Sequence, residues 1–483
     1  MSTITFQDFE VATDKAAFIS RAISEHQLSE EYKIAKSADA YDHQKNETVY
    51  NYIQMIFSVL GTPMEDFTAS NNKIASNFFH RLNTQRCEYL VGNGVSFSDN
   101  TEEVFDAKGH RTMIDRTKDA LGKRFDNDLK KLVYAGLIHG VSYGYWTEDT
   151  IKGNRLYVFK LTEFKALFDE ETGVMRAGIR FWQIDPNKPM YAVLYEEDGY
   201  TKYKSEAGAA SFVEIQSKKS YKTIVSSSEF DGDVVIGEEN YSSIPIIPFY
   251  GSSLQQSTLV GMRPAIDSFD LIRSGFANDL SDCAQIYWLL ENCSGMSDAE
   301  VERFRDRLKF NHIAVADTDE SKVTPYTQEI PYQARKEYLD HIRAGIYEDF
   351  GGLDVHTIAA GATNDHIDAA YQPMDEEADD LEYQIDEFIQ QVLALLGIED
   401  TPIFKRNRIS NQKEQTDMVL SAADYLDDET ILSKLPFITV DEIYFILANK
   451  DEETREMFSD KNSIDGVDNV DNVDSEDSED NEE

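Results

Sequence analysis

The stretch that decides the fold runs from Ile244 to Gln285 and reads IPIIPFYGSSLQQSTLVGMRPAIDSFDLIRSGFANDLSDCAQ. A short apolar strand with two prolines leads through a polar loop, and a helix of roughly 36 Å follows Gly261 if each residue adds 1.5 Å. One side of this helix is apolar and comprises Met262, Ile266, Phe269, Ile272, Phe276, Leu280 and Cys283. Beside it lies a polar stripe that comprises Asp267, Asp270, Ser274, Asn278 and Ser281. The polar stripe of so long a helix must contact either water or polar groups of a partner.

The charge of the chain limits what it can bind. Among 483 residues, 90 Asp and Glu outnumber 46 Lys and Arg, which leaves a net charge of -44. Such a protein repels nucleic acid at long range, so tight DNA binding is excluded, although the passage of DNA along its surface is not. No apolar run reaches the roughly 18 residues of a membrane span, and no secretory signal is visible, so we expect no membrane partner. Three cysteines without paired spacing indicate a reducing compartment.

The elements around the long helix predict an α+β chain. Between about 145 and 250, apolar and polar residues alternate in several segments, which predicts a meander of antiparallel strands. A second long helix follows Tyr332 and ends at Gly351 and Gly352, because glycine commonly ends helices. A third is predicted over 374–396, after a loop of small and polar residues.

Motifs for catalysis or cofactor binding are weak in this sequence. Gly140-Val-Ser142-Tyr-Gly144 matches the nucleophile elbow of serine hydrolases, but here a predicted helix comes before the serine and strands follow, the reverse of the order that the elbow requires. The nine histidines lack metal-ligand spacing, and no ATP-binding loop is present. We therefore expect no enzyme activity, no cofactor and no metal, with a serine hydrolase built on Ser142 as the alternative.

Four blocks of the sequence resemble one protein family and occur in the same order as in that family. They span 71–97, 137–173, 244–282 and 404–442, and include VGNGVSF, GVSYGYW, IPIIPFYGSS and FKRNRIS. Together they resemble the portal proteins of tailed double-stranded DNA bacteriophages, in the branch with long, non-contractile tails. Another virion connector ring is a further alternative, although such chains are typically much shorter.

The resemblance implies a cyclic ring, expected to be a dodecamer, around a channel for double-stranded DNA. The implied regions are a wing at 1–258, a first stem helix at 259–285, a clip at 286–331, a second stem helix at 332–352, a tunnel loop at 353–373, a long wing helix at 374–400, a closing wing strand with crown helices at 401–460, and a disordered acidic tail at 461–483. The ring would lie at the portal vertex of the virion capsid after assembly in the host cytoplasm. Its partners would be the terminase large subunit, the major capsid and scaffolding proteins, and the head-tail adaptor proteins.

Three groups of candidate functional residues follow from these regions. The polar stripe of the first stem helix would face the channel and contain DNA without gripping it, since each phosphate neutralised by a cation tightens binding. The tunnel loop would present Thr357, Asn364 and His366 to DNA. The clip would offer Trp288, Phe304 and Phe310 to partner proteins.

Overall fold

A computed structural model describes most of the chain. The described residues are 4–57, 62–65, 69–105, 111–148, 153–208, 211–228, 232–283, 287–291, 322–326, 331–355, 363–408 and 412–435, with a few single positions elsewhere. The predicted acidic tail at 461–483 lies outside them.

Helices form at both ends of the described chain and in its centre. They are α1 (Phe6–Val11), α2 (Lys15–Leu28), α3 (Glu30–Asp42), α4 (Glu47–Tyr50), α5 (Phe78–Val91), α6 (Arg116–Leu121), α7 (Phe125–His139), α8 (Leu259–Cys283), α9 (Tyr332–Phe350), α10 (Asn364–Leu396), α11 (Gln412–Ser421) and α12 (Asp428–Lys434). Short 3₁₀ helices occupy Leu161–Glu163 and Ala423–Tyr425.

Strands concentrate between α7 and α8. They are β1 (Met55–Phe57), β2 (Pro63–Glu65), β3 (Val95–Phe97), β4 (Thr101–Phe105), β5 (Arg111–Asp115), β6 (Val141–Thr147), β7 (Arg155–Lys160), β8 (Phe164–Phe168), β9 (Met175–Trp182), β10 (Met190–Glu196), β11 (Gly199–Ser205), β12 (Val213–Lys219), β13 (Lys222–Ser228), β14 (Gly232–Glu239), β15 (Ile246–Tyr250), β16 (Tyr287–Glu291), β17 (Lys322–Tyr326) and β18 (Pro402–Phe404). With the helices, they confirm the predicted α+β class.

The predicted meander is present as a five-stranded sheet in the order β12-β11-β10-β9-β8, in which neighbouring strands pair antiparallel. A three-stranded sheet has the order β15-β6-β7, and β18 returns from late in the chain to pair with β3. The remaining strands pair two by two as β1-β2, β4-β5, β13-β14 and β16-β17.

The main core lies where α5, α7 and the C-terminal half of α10 meet the three-stranded sheet. Leu132 of α7, Trp146 of β6 and Phe388 of α10 are completely or almost completely buried in it. The end of α7 lies close to the segment that precedes α8, and Gly140 makes this possible. Its φ is 86°, and a Cβ atom there would lie 2.7 Å from the carbonyl carbon of Gln256. Only glycine adopts this left-handed turn without strain, so the helix can turn directly into β6.

Both predicted stem helices are present as α8 and α9, and α9 ends where the sequence indicates. Gly351 has a φ of 66°, and the N–H groups of Gly351 and Gly352 donate to the last carbonyls of the helix. This is the glycine-terminated helix end that the Gly-Gly pair predicts.

The predicted start of the third helix is wrong. We expected a loop over 353–373, but α10 begins at Asn364 and continues through Pro373. Proline usually ends or kinks a helix because it lacks an N–H and its ring clashes with the preceding turn. Here buried Ile367, Tyr371 and Met374 extend the helical apolar spacing across the proline, which explains why the helix persists.

The chain divides into two compact units. The first contains Met1–Asp99, Thr117–Thr357 and Ala370–Arg408. The second contains Asn100–Arg116, Ile358–Ala369 and Ile409–Glu483, and thus includes the first turns of α10 together with α11 and α12.

Candidate functional site

The polar stripe of α8 is covered by the chain's own N-terminal region. Asp270 is completely buried, and its two carboxylate oxygens accept hydrogen bonds from Asn46 Nδ2 and from the Ser76 backbone N–H, both at 2.9 Å. Burial raises the pKa of the Asp270 carboxyl, although these hydrogen bonds oppose the shift. A completely buried acid with matched donors is part of the internal packing of the molecule.

From Asp270 to Ser281, the stripe binds one short segment, residues 72–76. The backbone N–H of Ile74 donates to Ser274 Oγ at 3.0 Å, and the backbone N–H of Asn72 donates to Asn278 Oδ1 at 2.6 Å. With the Ser76–Asp270 bond, every second residue of the segment therefore meets every fourth residue of the helix, in antiparallel order. Asn72 Nδ2 extends this contact to Ser281 Oγ at 3.3 Å.

The spacing of this ladder has a simple geometric origin. Four residues of an α-helix advance about 6.0 Å, whereas two residues of a nearly extended chain advance about 6.6 Å. The two repeats match closely over three contacts, so polar side chains at 270, 274 and 278 can each satisfy one backbone N–H of the segment. The N–H groups of Ile74 and Ser76 are partly buried, and donors shielded from water need such partners because leaving them unpaired is costly.

Asp267 continues the stripe toward the start of α8. Its carboxylate accepts hydrogen bonds from Tyr41 Oη at 2.5 Å and from Thr48 Oγ1 at 2.8 Å, and Arg263 lies one helical turn away at 3.7 Å. Partial burial and the bond to Asp267 raise the pKa of Tyr41 to about 12. Tyr41 therefore remains a protonated donor at neutral pH, as the geometry requires.

The predicted channel-facing role of the stripe is corrected here for its inner residues. Asp270 and Ser274 are buried, and Asp267 is bonded to α3 and α4, so these side chains do not form an open wall. Their polarity is explained by internal donors rather than by water in a channel. Asn278 is half-buried and Ser281 is exposed, and both contact Asn72.

Helices α8 and α9 form an antiparallel pair. Near their far ends, the rings of Phe276 and Tyr332 lie 5.7 Å apart, and Arg335 forms an ion pair with Asp279. Nearer the core, Ile266 of α8 and Ile346 of α9 are buried in one apolar cluster. The pair is thus anchored at one end, whereas none of residues 331–341 is buried.

The connection after α9 is held by charged groups. Both carboxylate oxygens of Asp354 accept hydrogen bonds from Arg343 Nη2, at 2.8 and 3.0 Å. Arg86 lies over the Phe350 ring at 4.1 Å and donates to the Phe350 carbonyl. The end of α9 is therefore fixed against α5 at the point where the predicted tunnel loop begins.

The predicted tunnel-loop residues fall in different places. Thr357 lies outside the described residues. Asn364 and His366 lie in the first turn of α10 rather than in a loop, where the Asn364 N–H donates to Glu414 Oε2 at 2.9 Å and His366 is exposed. An acid at a helix N-terminus is favourable, because the helix dipole is positive there.

The predicted clip starts and ends as a two-stranded ribbon. Strands β16 and β17 pair antiparallel from Tyr287↔Tyr326 to Glu291↔Lys322, so the two ends of the predicted clip lie side by side. Trp288 lies in β16 opposite Pro325, whereas Phe304 and Phe310 lie outside the described residues. Their proposed contact with partners stays a prediction.

Ser142 has a structural role. It lies in β6 directly after α7, in the helix-to-strand order that the sequence indicates. Its side chain is completely buried, and Oγ donates to the Leu132 carbonyl at 2.8 Å. A nucleophile elbow instead exposes its serine at the top of a sheet. This geometry contradicts the serine hydrolase alternative.

The chain after β18 is bound to α10 by two arginines. Arg406 contacts Asp375 at 2.8 Å and Glu382 at 3.1 Å, and it also pairs with Asp379. Arg408 Nε donates to Tyr89 Oη at 2.8 Å. The predicted closing strand is thus fixed to both β3 and α10, in the first unit.

The described part of the chain contains neither a metal-binding cluster nor a membrane-spanning helix. Within it, no cluster of three or more His, Cys, Asp or Glu side chains is arranged to hold a metal ion. No helix there combines the length and apolar character needed to cross a bilayer.

Sequence reasoning identified the stripe but missed its partner. Segment 72–76 has no periodicity of its own, and Tyr41, Asn46 and Thr48 lie in polar N-terminal helices that resemble ordinary surface. The available signal was the four-residue spacing of acceptors at 270, 274 and 278, which fits an adjacent extended chain as well as a channel wall.

Comparison with known proteins supplies the family. Residues 23–466 match the model for the phage portal protein family, SPP1 Gp6-like. The chain is 25% identical over 388 residues to the portal protein of Clostridium phage phiCD119, covering 76% of this chain and 82% of that protein. It is 23% identical over 457 residues to the portal protein of Bacillus phage SPP1, covering 89% of this chain and 85% of that protein. The match extends through α8, α9, α10 and both units, so the chain belongs to the SPP1 Gp6-like family of phage portal proteins.

Proposed function

We propose that this portal protein assembles into a closed ring, expected to be a dodecamer, around a channel through which double-stranded DNA is packaged and ejected. The ring occupies the portal vertex of the virion capsid after assembly in the host cytoplasm. In this proposal, the wing, stem, clip, crown and tail regions keep the bounds given by the sequence. The long wing helix begins at Asn364, so the tunnel loop is shortened to 353–363.

The observation that carries the ring is the α8–α9 pair. Its far half has no buried residue in 331–341, and Leu280, Tyr332 and Tyr338 are each 46–56% exposed. Large apolar patches seldom remain open on a stable monomer. In a cyclic assembly, each subunit covers such a surface on the next one through contacts that close the ring.

The charge of the chain suits a channel that does not hold DNA. With -44 per subunit, the ring offers few cations for phosphate, so little counterion release accompanies contact. We place the connection between α9 and α10, which contains Thr357, and the first turn of α10, which contains Asn364 and His366, at the narrowest part of the channel. This follows from the resemblance and from the position of the connection between two long helices.

The ring's partners are assigned to separate surfaces. The segment that leaves the fold at β16 and returns at β17 is the proposed docking surface for the terminase large subunit and later for the head-tail adaptor proteins. The major capsid and scaffolding proteins would contact the wing. The pairing of β16 with β17 supports this assignment, because it brings the two ends of the segment together.

Native mass spectrometry of the full-length protein tests the ring. We expect species at a high multiple of 55.0 kDa, with the twelvefold assembly dominant at micromolar concentration. A monodisperse monomer under the same conditions would contradict the proposal. Capsids assembled with and without the protein provide the functional comparison, since only those with it should package DNA.

A further inference from the structure

Strands β1 and β2 form a ribbon with both faces open. Their register pairs Met55 with Glu65 and Ile56 with Met64. Because successive residues of a strand point to opposite faces, Met55 and Met64 lie on opposite faces of the ribbon. Met55 is 53% exposed and Met64 is 46% exposed, so the chain itself covers neither face.

The chain leading into the ribbon is also apolar and exposed. Tyr50, Tyr52 and Ile53 are each about half exposed, and residues 48–64 contain no Lys, Arg, Asp or Glu. Across the whole chain, charged residues make up 28%. An isolated two-stranded hairpin is only marginally stable in water, so an uncovered ribbon of this composition needs a partner surface.

The chain is bonded to α8 both before and after the ribbon. Before it, Asn46 caps α4 by accepting from the Thr48 N–H at 2.9 Å and donates to Asp270. After it, the 72–76 segment follows α8 through the Asn72 and Ile74 contacts. The segment that contains the ribbon therefore begins and ends at α8, which limits how far the ribbon can move from this helix.

The charge of the chain favours a second copy of the chain as the partner that covers the ribbon. Two subunits that each carry -44 repel one another, so contacts between them are most favourable where charge is absent. DNA is a poor occupant because the ribbon offers no cation to phosphate. A ring further requires that each subunit present a surface that fits a different surface on its neighbour.

We propose that the exposed side chains of the ribbon and of the chain leading into it dock on the neighbouring copy of this chain and stabilise the ring. They are Tyr50, Tyr52, Ile53, Met55 and Met64. This inference rests on the proposed ring and assigns one of its contact surfaces. It goes beyond the family match, which says nothing about how copies meet.

The first test places charge in the contact. Ile53→Asp combined with Met55→Asp should raise by at least about tenfold the protein concentration at which half of the chains are assembled, because the ring would bury two carboxylates without partners. The control is Ile184→Asp, a substitution of the same type at an 87% exposed isoleucine between β9 and β10. Native mass spectrometry across a dilution series gives the measurement, and circular dichroism checks that both variants fold.

The outcomes distinguish failure of the proposed ribbon contact from failure of the proposed ring. A shift in the double variant alone supports the ribbon contact. Wild type and double variant assembling equally well would overturn it and leave the ring intact, whereas a monomeric wild type would contradict the proposed function itself.

A second test identifies the occupant directly. A photoreactive phenylalanine at position 52 should crosslink two copies of this chain in purified rings. In procapsids, crosslinking to the major capsid or scaffolding protein instead of to a second copy would overturn the proposal. Absence of any crosslink between copies in purified rings would do the same.

Discussion

Removing the carboxylate of Asp270 should release segment 72–76 from α8. Asp270→Ala leaves Asn46 Nδ2 and the Ser76 N–H without their acceptors, which lie at 2.9 Å in the wild type. Leaving a buried donor unpaired costs about 1–3 kcal/mol, so two such losses suggest roughly 2–6 kcal/mol. The wild type, however, bears the cost of burying this carboxyl, as its raised pKa indicates, which places the expected loss near about 3 kcal/mol.

Hydrogen exchange measures this loss where it occurs. A local loss of about 3 kcal/mol corresponds to roughly 100-fold faster exchange of the backbone amides at 72, 74 and 76. Asp270→Asn keeps one acceptor oxygen and should show a smaller effect. The control is Asp340→Ala on the exposed side of α9, which should change stability by no more than about 0.5 kcal/mol.

The difference in stability between wild type and Asp270→Ala should depend on pH. Because the folded-state pKa of Asp270 is raised above 3.8, the folded protein binds its proton before the unfolded chain does as the pH falls. The stability advantage of wild type over Asp270→Ala should therefore grow from neutral pH toward pH 3.8. Unchanged exchange at 72–76 in Asp270→Ala would refute the ladder as the force that holds this segment.

Three further predictions concern other parts of the chain. Partial burial opposes ionisation of Asp39, but His139 and Lys160 lower its pKa to about 2, so Asp39→Asn should lower the free energy of unfolding at pH 7. In urea unfolding series, the difference in free energy between wild type and variant should vanish as the pH falls from 3.8 to about 2, and a constant difference would contradict this prediction. Ser142→Ala removes one buried hydrogen bond and should cost about 1 kcal/mol while rings still form, whereas specific labelling of wild-type Ser142 by a serine-directed phosphonate would overturn its structural role. Asn364→Lys places one cation per subunit at the proposed narrow part of the channel. It should shorten the DNA packaged per capsid relative to Asn364→Gln, and the effect should be largest at low salt. Normal packaging at every salt concentration would show that this position does not line the channel.

The sequence predicted elements better than it predicted their partners. Helices α8 and α9 and the end at Gly351 follow from apolar periodicity and glycine, which are local signals. The β8–β12 meander follows from two-residue alternation. These features need no knowledge of the rest of the chain.

What the sequence did not predict depends on long-range contacts. The sequence places the start of α10 too late because the preceding residues are small and polar and lack strong periodicity, whereas packing of Ile367, Tyr371 and Met374 makes them helical. The α8 stripe was read as a channel wall because a polar face alone does not distinguish water from a hydrogen-bonded strand. The residues that satisfy Asp270, at 46 and 76, are more than 190 positions away in the chain.

Cryo-electron microscopy of the purified full-length protein tests most directly whether this chain forms a portal ring in which the polar stripe of α8 is hydrogen-bonded within each subunit. We expect closed rings with an axial channel, in which Asp270 and Ser274 contact residues 72–76 of their own chain. Separate monomers, or rings in which Asp270 and Ser274 line the open channel, would contradict it.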